Sequence, residues 1–398
     1  MKRLMVGVVA VLLFTGIAEA QRRAGDGRSA PSPSAGDALA GLTTAQRTLF
    51  TDGQADFKEE ETVSDGLGPV FNERSCVACH SVPATGGGSR RSVTRFSTRT
   101  NGLYDPMTAL GGSLRQDHAI GLADGSTHVF RPEIVPALAT IVVRRRTPPL
   151  FGLGLVDATP DSDFMAMAAM QASRGDGVTG RVNMVDNIRA GMKTAGKFGW
   201  KAQVPSLFQF SGDAYLNEMG ITTPDFPNEN CPQGNCAELT FNPMPGINDD
   251  GSGPITLTNF MTLLAAPPRA TQSRDTDDGE SAFDQIGCTA CHVATLHTGS
   301  SPIAALDHKA YHPYSDFLIH DMGTLGDDLE MGNAAGKEMR TAPLWGLRFI
   351  TTYLHDGRAN TLDQAILAHD GEARPARDRF ANLNATVKAK LMAFLNSL

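Results

Sequence analysis

The amino-acid sequence predicts a mainly α-helical fold, built from two similar modules with long loops. Short helical patterns alternate with loops in a chain that holds 41 Gly and 23 Pro, and alternating strand patterns are few. The chain has 398 residues, more than the roughly 100–200 residues of a usual domain. Segments of the first half also recur in the second half, which indicates a duplication.

Two pairs of segments carry the repeat. Arg146 begins the segment RTPPLFGL, and Arg340 begins the segment RTAPLWGL. Trp200 and His355 each precede a Ser or Thr, a Leu and a Gln at offsets of six, seven and nine residues. We therefore expect two copies of one module and place the boundary between them at residue 266, beside a pair of prolines.

The first 20 residues have the pattern of a cleaved signal peptide, with a cationic start, an apolar run and a small-residue ending. The run is shorter than the roughly 20 residues that span a bilayer. We expect export to the periplasm as a soluble protein without a membrane span. Residues 21–42, rich in Ala, Gly, Ser and Pro, are expected to be a flexible lead-in. The two modules then cover 43–265 and 266–398.

The net charge of −8 bears on partners. It argues against binding to nucleic acid or to an anionic membrane surface, and it leaves a basic protein partner open.

Four of the six cysteines lie in the motifs CVACH and CTACH, which match the attachment pattern of c-type haem. Two thiols about one helical turn apart form thioethers to the haem, and the histidine ligates the iron. A zinc site would bring both pairs together, and a thioredoxin-like dithiol would need a βαβ context; export and the repeat disfavour both. We predict two covalently bound c-type haems in cytochrome c-like modules, held by Cys76, Cys79 and His80 and by Cys288, Cys291 and His292.

The remaining two cysteines, Cys231 and Cys236, flank a short stretch of turn residues. A local disulfide is the favoured interpretation, and a redox-active pair is the alternative.

The residue at the sixth position of each iron separates electron transfer from catalysis. A Thr-x-x-Gln capping pattern at 361–364 predicts a helix over 362–369, and His369 ends its apolar stripe. His369 is the candidate distal ligand of the second haem, with a core or surface histidine as the alternative. His369 lies fourteen residues after His355, which the repeat pairs with Trp200. The residue fourteen positions after Trp200 is Ala214, which cannot ligate iron. The sequence therefore predicts an open first haem beside a capped second haem.

Four further segments are distinctive, namely FNERSC at 71–76, FGWKAQ at 198–203, YSDFLIHDMG at 314–323 and LHDGR at 354–358. Through these segments and the CxxCH motifs, the chain resembles the dihaem bacterial cytochrome c peroxidase superfamily, in particular its branch of dihaem "thiol oxidoreductases". The resemblance covers most of the chain after residue 65. It implies reduction of hydrogen peroxide, or peroxide-driven oxidation of a substrate, at the first haem. The second haem would relay electrons to or from a small cytochrome c or a cupredoxin.

The resemblance also implies roles for single residues. Trp200 would lie between the haems as an electron relay, and Gln209 and Glu218 would stand over the peroxide-binding iron. A Glu with a raised pKa can take one proton from peroxide and return it to the leaving oxygen. A core aromatic, a helix cap and a solvated carboxylate are the respective alternatives. Gln209 and Glu218 can face one site only if Gly212 interrupts their helix, since nine residues place them on opposite sides.

Three further histidines and a metal follow from the resemblance. His118 and His128 can swing onto the first haem in a resting state, as a His does in some relatives. His320 is expected to belong to a network of carboxylates and histidines near the second haem, with structural hydrogen bonding as the alternative.

Relatives place Met or Tyr where this chain has His369. Two His ligands generally give the iron a lower reduction potential than His with Met. Relatives also hold a structural calcium between the domains, although no acidic cluster in the sequence specifies one.

Two other functions remain open at this point. A plain dihaem electron carrier would have a sixth protein ligand on both irons. A protein-modifying oxidase would use peroxide to oxidise a partner protein, and the sequence does not separate it from a peroxidase.

Overall fold

The computed structural model describes residues 34–123 and 125–398. The predicted signal peptide and the first part of the predicted lead-in lie outside these residues. Within them, no helix is long and apolar enough to cross a membrane.

Among the described residues, helices occupy a larger share than strands do, 34% against 16%. The helices in the described ranges are α1 (Thr44–Asp56), α2 (Leu153–Asp157), α3 (Asp161–Arg174), α4 (Leu207–Met219), α5 (Ser252–Leu263), α6 (Arg274–Gln285), α7 (Leu362–Leu367), α8 (Arg374–Ala381) and α9 (Ala385–Leu395). In the first half α1 packs against α5, and in the second half α6 packs against α9. Both pairs cross at a glycine, because a Cβ atom at Gly53 or at Gly279 would clash with a backbone carbonyl of the partner helix. The two halves therefore share one way of pairing their helices.

The strands are short except in one sheet of the first half. They are β1 (Val70–Phe71), β2 (Ser92–Thr100), β3 (Leu103–Asp105), β4 (Ser113–Leu114), β5 (His118–Ala119), β6 (Ile141–Arg146), β7 (Met184–Asn187), β8 (Met192–Ala195), β9 (Leu296–His297), β10 (Ala310–Tyr311), β11 (Ile319–Asp321) and β12 (Glu338–Arg340). Strand β2 pairs antiparallel with β3, β4 and β6. The mainly α-helical prediction is thus only partly right, because it overlooked runs rich in β-branched Val, Ile and Thr along β2 and β6, which are typical of strands.

The internal repeat reappears as a reciprocal exchange of hydrogen bonds. The backbone N–H of Arg146 donates to the carbonyl oxygen of His355, and that of Arg340 donates to the carbonyl oxygen of Trp200, both at 2.8 Å. The Nε atoms of the same arginines donate to the carbonyl oxygens one residue earlier, at 3.0 and 2.7 Å. The RTPPL segment of the first half therefore binds the His355 segment of the second half. The RTAPL segment of the second half binds the Trp200 segment of the first half in the same way.

The main core extends across residue 266, where the sequence places the boundary. Phe57 and Phe260 of the first half belong to the same buried cluster as Phe317 and Trp345 of the second half. A smaller cluster around Phe283 and Phe394 lies between α6 and α9. The described residues form one compact unit, and the division into modules at 43–265 and 266–398 stays a prediction.

Candidate functional site

Each CxxCH motif begins with a single 3-10 turn, over Cys76–Ala78 and Cys288–Ala290. Nδ1 of the histidine that follows contacts a backbone carbonyl oxygen, at 3.0 Å in His80 and at 2.8 Å in His292. Because a carbonyl oxygen only accepts, Nδ1 carries the proton and Nε2 keeps its lone pair. Burial lowers the pKa of both rings to about 4, so both are neutral, as metal-binding histidines must be.

The six cysteines divide as the sequence suggests. Cys231 and Cys236 form a disulfide, which confirms the favoured interpretation. The four cysteines of the CxxCH motifs are free thiols. Burial raises the pKa of Cys76 to about 12 and that of Cys79 to about 11. Both motifs therefore present the unpaired thiols that covalent haem attachment requires.

A cavity of about 390 Å³ adjoins the second motif. Cys288, Cys291 and His292 line it, together with His369. Apolar side chains form much of its wall, among them Leu344, Leu347, Leu362, Ile366, Leu391 and Leu395. Four arginines also line it, namely Arg146, Arg340, Arg377 and Arg379. These residues fit a haem, because apolar side chains suit the macrocycle, arginines suit its propionates and two histidines supply nitrogen ligands.

His369 lies two residues after the end of helix α7. Thr361 caps this helix by accepting from the backbone N–H of Gln364, so the predicted helix start is confirmed. The helix ends at Leu367, two residues before the predicted end. The Nδ1 of His369 donates to the carbonyl oxygen of Ala365 at 2.8 Å. Its Nε2 is thus left with a lone pair, and burial lowers the pKa of the ring.

Glu218 lies near the end of α4 and close to the first motif. The side-chain amide of Asn72 donates to its Oε2 at 2.9 Å. Burial raises the pKa of Glu218 to about 7, although Asn72 and the charge of Arg95 oppose this shift. The charge of Glu218 in turn helps to raise the pKa of Cys79. Asn72 belongs to the segment FNERSC at 71–76, and no local sequence pattern predicts its contact with Glu218.

Gln209 lies on the other side of α4. Helix α4 runs without a break through Gly212, so nine residues turn the two side chains about half a revolution apart. The amide of Gln209 bonds the backbone of 186 and 188, at 3.0 Å in each case. The structure therefore does not bring Gln209 and Glu218 together, and a catalytic role of Gln209 stays a prediction. Ala214 is one turn before Glu218 on the same face.

Trp200 lies where the two halves exchange hydrogen bonds. Its Nε1 donates to the carbonyl oxygen of Arg146 at 3.0 Å, and the Arg146 guanidinium carbon is 5.8 Å from the centre of the ring. The ring of His355 packs edge-on against it, with centres 6.3 Å apart. Although Trp200 belongs to the first half of the sequence, it lines the cavity at the second CxxCH motif.

The other two candidate histidines of the first half differ in position. His118 stacks on Phe71 and contacts the carbonyl oxygen of Asn72 through Nδ1 at 2.8 Å. This places His118 beside the residue that holds Glu218. His128 stacks on Phe241 with centres 4.3 Å apart. Movement of either onto the first haem stays a prediction.

The chain has two CxxCH motifs, and a backbone carbonyl oxygen fixes the histidine of each. The second motif adjoins an apolar cavity. These features define a candidate di-haem protein. Residues 139–398 match the model of the family described as "Di-haem oxidoreductase, putative peroxidase". The chain belongs to this family. The matched region contains the second CxxCH motif, Trp200 and Glu218, whereas the first motif precedes it.

Solved structures that match the chain include three with low sequence identity. Hydrazine synthase of Kuenenia stuttgartiensis is 14% identical, with 96% of this chain and 100% of that chain covered and a TM-score of 0.38. The diheme peroxidase BthA of Burkholderia thailandensis is 13% identical, with 88% and 86% covered and a TM-score of 0.40. A MauG-like protein associated with microbial copper homeostasis is 16% identical, with 63% and 89% covered and a TM-score of 0.33. No curated protein matches the chain.

Proposed function

We propose that this chain is a periplasmic peroxidase-like oxidoreductase that carries two covalently bound c-type haems, one at each CxxCH motif. It reduces hydrogen peroxide, or uses it to oxidise a substrate, in the first module. The second module relays electrons to or from a small cytochrome c or a cupredoxin. Calcium binding stays a prediction, and the proposal does not use it.

The observation that carries the proposal is the asymmetry between the modules. In the second module His369 shares the cavity with the attachment residues. In the first module, the position at the same sequence offset is Ala214, with Glu218 one turn further along α4. A carboxyl group near the first motif suits acid and base chemistry, whereas a second histidine suits a fully ligated iron.

Haem, when bound, supplies the oxidation and reduction chemistry. Reduction of one hydrogen peroxide to two waters consumes two electrons and two protons, and one proton must pass between the two oxygens. With its pKa raised to about 7, Glu218 can accept that proton on a carboxylate oxygen and donate it to the leaving oxygen. Asn72 holds Oε2, so Oε1 is the oxygen we assign to this transfer. Trp200 would pass electrons between the modules.

The test compares Glu218→Gln with Glu229→Gln in the purified holoprotein. Burial also raises the pKa of Glu229 to about 7, so its variant controls for the loss of a partly buried carboxyl group with a raised pKa. We expect Glu218→Gln to lower kcat for peroxide about 100-fold or more and Glu229→Gln to leave it unchanged.

The pH dependence of the same reaction provides a second readout. Glu218 acts as a base only when ionised, so the rate of reaction with peroxide should rise as pH rises through about 7. Glu218→Gln should remove this rise. A wild-type protein with two covalent haems and no peroxide turnover would contradict the proposed function and favour an electron carrier.

A further inference from the structure

A buried histidine of the second half is held between two carboxylates. His320 is 2% exposed and Asp316 is fully buried. The Nε2 of His320 is 3.0 Å from Oδ2 of Asp316, and its Nδ1 is 2.8 Å from Oε2 of Glu372. Ionised carboxylates only accept hydrogen bonds, so both ring nitrogens donate and the ring is an imidazolium. The same contacts raise the pKa of His320 to about 12 against the effect of burial.

This cluster lies against the second haem-attachment motif. The Sγ of Cys291 is 3.7 Å from Nδ1 of His320. His320 and Glu372 also line the cavity that Cys288, His292 and His369 share. A fixed positive charge and two fixed negative charges are therefore placed at the edge of the candidate haem site.

Residues of the first half hold both carboxylates in place. Gln171 of α3, which is fully buried, donates from Nε2 to Asp316 at 2.7 Å and to the carbonyl oxygen of Ala290 at 3.1 Å. The backbone N–H and the hydroxyl of Thr179 donate to the carboxylate of Glu372 at 3.0 and 3.1 Å. The position of the cluster thus depends on the packing of the two halves.

We propose that His320 is a positioning residue, which Asp316 and Glu372 hold as a cation against Cys291 so that the cluster sets the reduction potential of the second haem. The proposal rests on the haem attachment proposed above, and it does not depend on peroxide turnover.

The sign of the expected effect follows from the charges. The cluster contributes one positive and two negative charges. Replacing His320 with a neutral residue removes the positive charge, and the remaining negative charges favour the ferric state. Replacing Glu372 with Gln removes a negative charge and favours the ferrous state. The two variants should therefore shift the potential of the second haem in opposite directions.

The experiment is an optical redox titration of the holoprotein. His320→Gln should lower the midpoint potential of the second haem, and Glu372→Gln should raise it, while the potential of the first haem stays constant. Asp278→Asn is the matched control, because Asp278 is a carboxylate of the same half, paired with Lys390 at the protein surface. Its variant should leave both potentials unchanged.

Shifts of the same sign in both variants, or no shift in either, would overturn the proposal. If His320→Gln does not fold, Glu372→Gln decides alone, since only a raised potential agrees with the proposal. A haem count on the same samples separates the failures. Fewer than two covalent haems in the wild type would refute the proposed attachment, whereas two haems with unshifted potentials would refute only the role of His320.

Discussion

The two halves of the molecule share a scaffold and differ in the group placed near the CxxCH motif. Both halves pair two helices at a glycine, anchor the CxxCH histidine through Nδ1 and contribute an RTxPL segment to the other half. In the second half His369 lines the cavity of the motif. In the first half Glu218, a carboxyl group with a raised pKa, lies near the CxxCH motif instead.

Under the proposed function, this comparison illustrates how a duplicated fold divides two tasks. The shared features would hold the haem-attachment residues, and a few differences near them would set what each site does. A neutral histidine suits iron ligation, whereas a carboxyl group that titrates near pH 7 suits proton transfer. The contrast rests on a few side chains, and single substitutions can therefore test it.

Giving the first half a histidine should have the largest effect. We expect Ala214→His to place an imidazole one turn before Glu218 and to make the first haem six-coordinate, with loss of the peroxide reaction. Ala214→Asn is the control, since it adds a polar side chain without an imidazole. Stopped-flow spectra after mixing with peroxide measure the outcome. An unchanged reaction in Ala214→His would show that this position does not face the iron.

Removing the histidine from the second half is the converse change. His369→Ala should convert the second haem from low spin to high spin, and added imidazole should restore the low-spin spectrum. His312→Ala is the matched control, because His312 is exposed and its side chain bonds to Thr295. A low-spin second haem in His369→Ala would show that another residue supplies the ligand.

The shared helix pairing can be tested by stability. Gly53→Ala and Gly279→Ala should each lower the free energy of unfolding by about 1–3 kcal/mol, because the new methyl group overpacks a helix crossing. Denaturant titration of each variant measures this loss. A loss in only one variant would argue against equivalent roles of the two pairs.

Trp200→Phe should have the smallest effect on stability. It removes the hydrogen bond to the carbonyl oxygen of Arg146, which costs about 1 kcal/mol. Electron transfer between the haems should also become slower, as flash-induced kinetics can measure. The control is Trp345→Phe at the other tryptophan of the chain, which belongs to the main core. Equal electron-transfer rates in both variants would remove Trp200 from the relay.

Local sequence patterns predicted the features that depend on neighbours in the chain. The cap at Thr361 and the Cys231 to Cys236 disulfide are examples. Ser206 likewise caps α4, because its hydroxyl accepts from the backbone N–H of Gln209 three residues later. Contacts between distant segments escaped prediction, because no short motif encodes them. Gln209, for instance, bonds to a hairpin about twenty residues earlier in the chain.

The most direct test of the asymmetry is an EPR spectrum of the oxidised and the half-reduced holoprotein, recorded with and without hydrogen peroxide. We predict a high-spin ferric signal from the first haem, lost on addition of peroxide, beside a low-spin signal from the second haem with two His ligands. Two low-spin haems that do not react with peroxide in either redox state would contradict the account and leave an electron-transfer cytochrome.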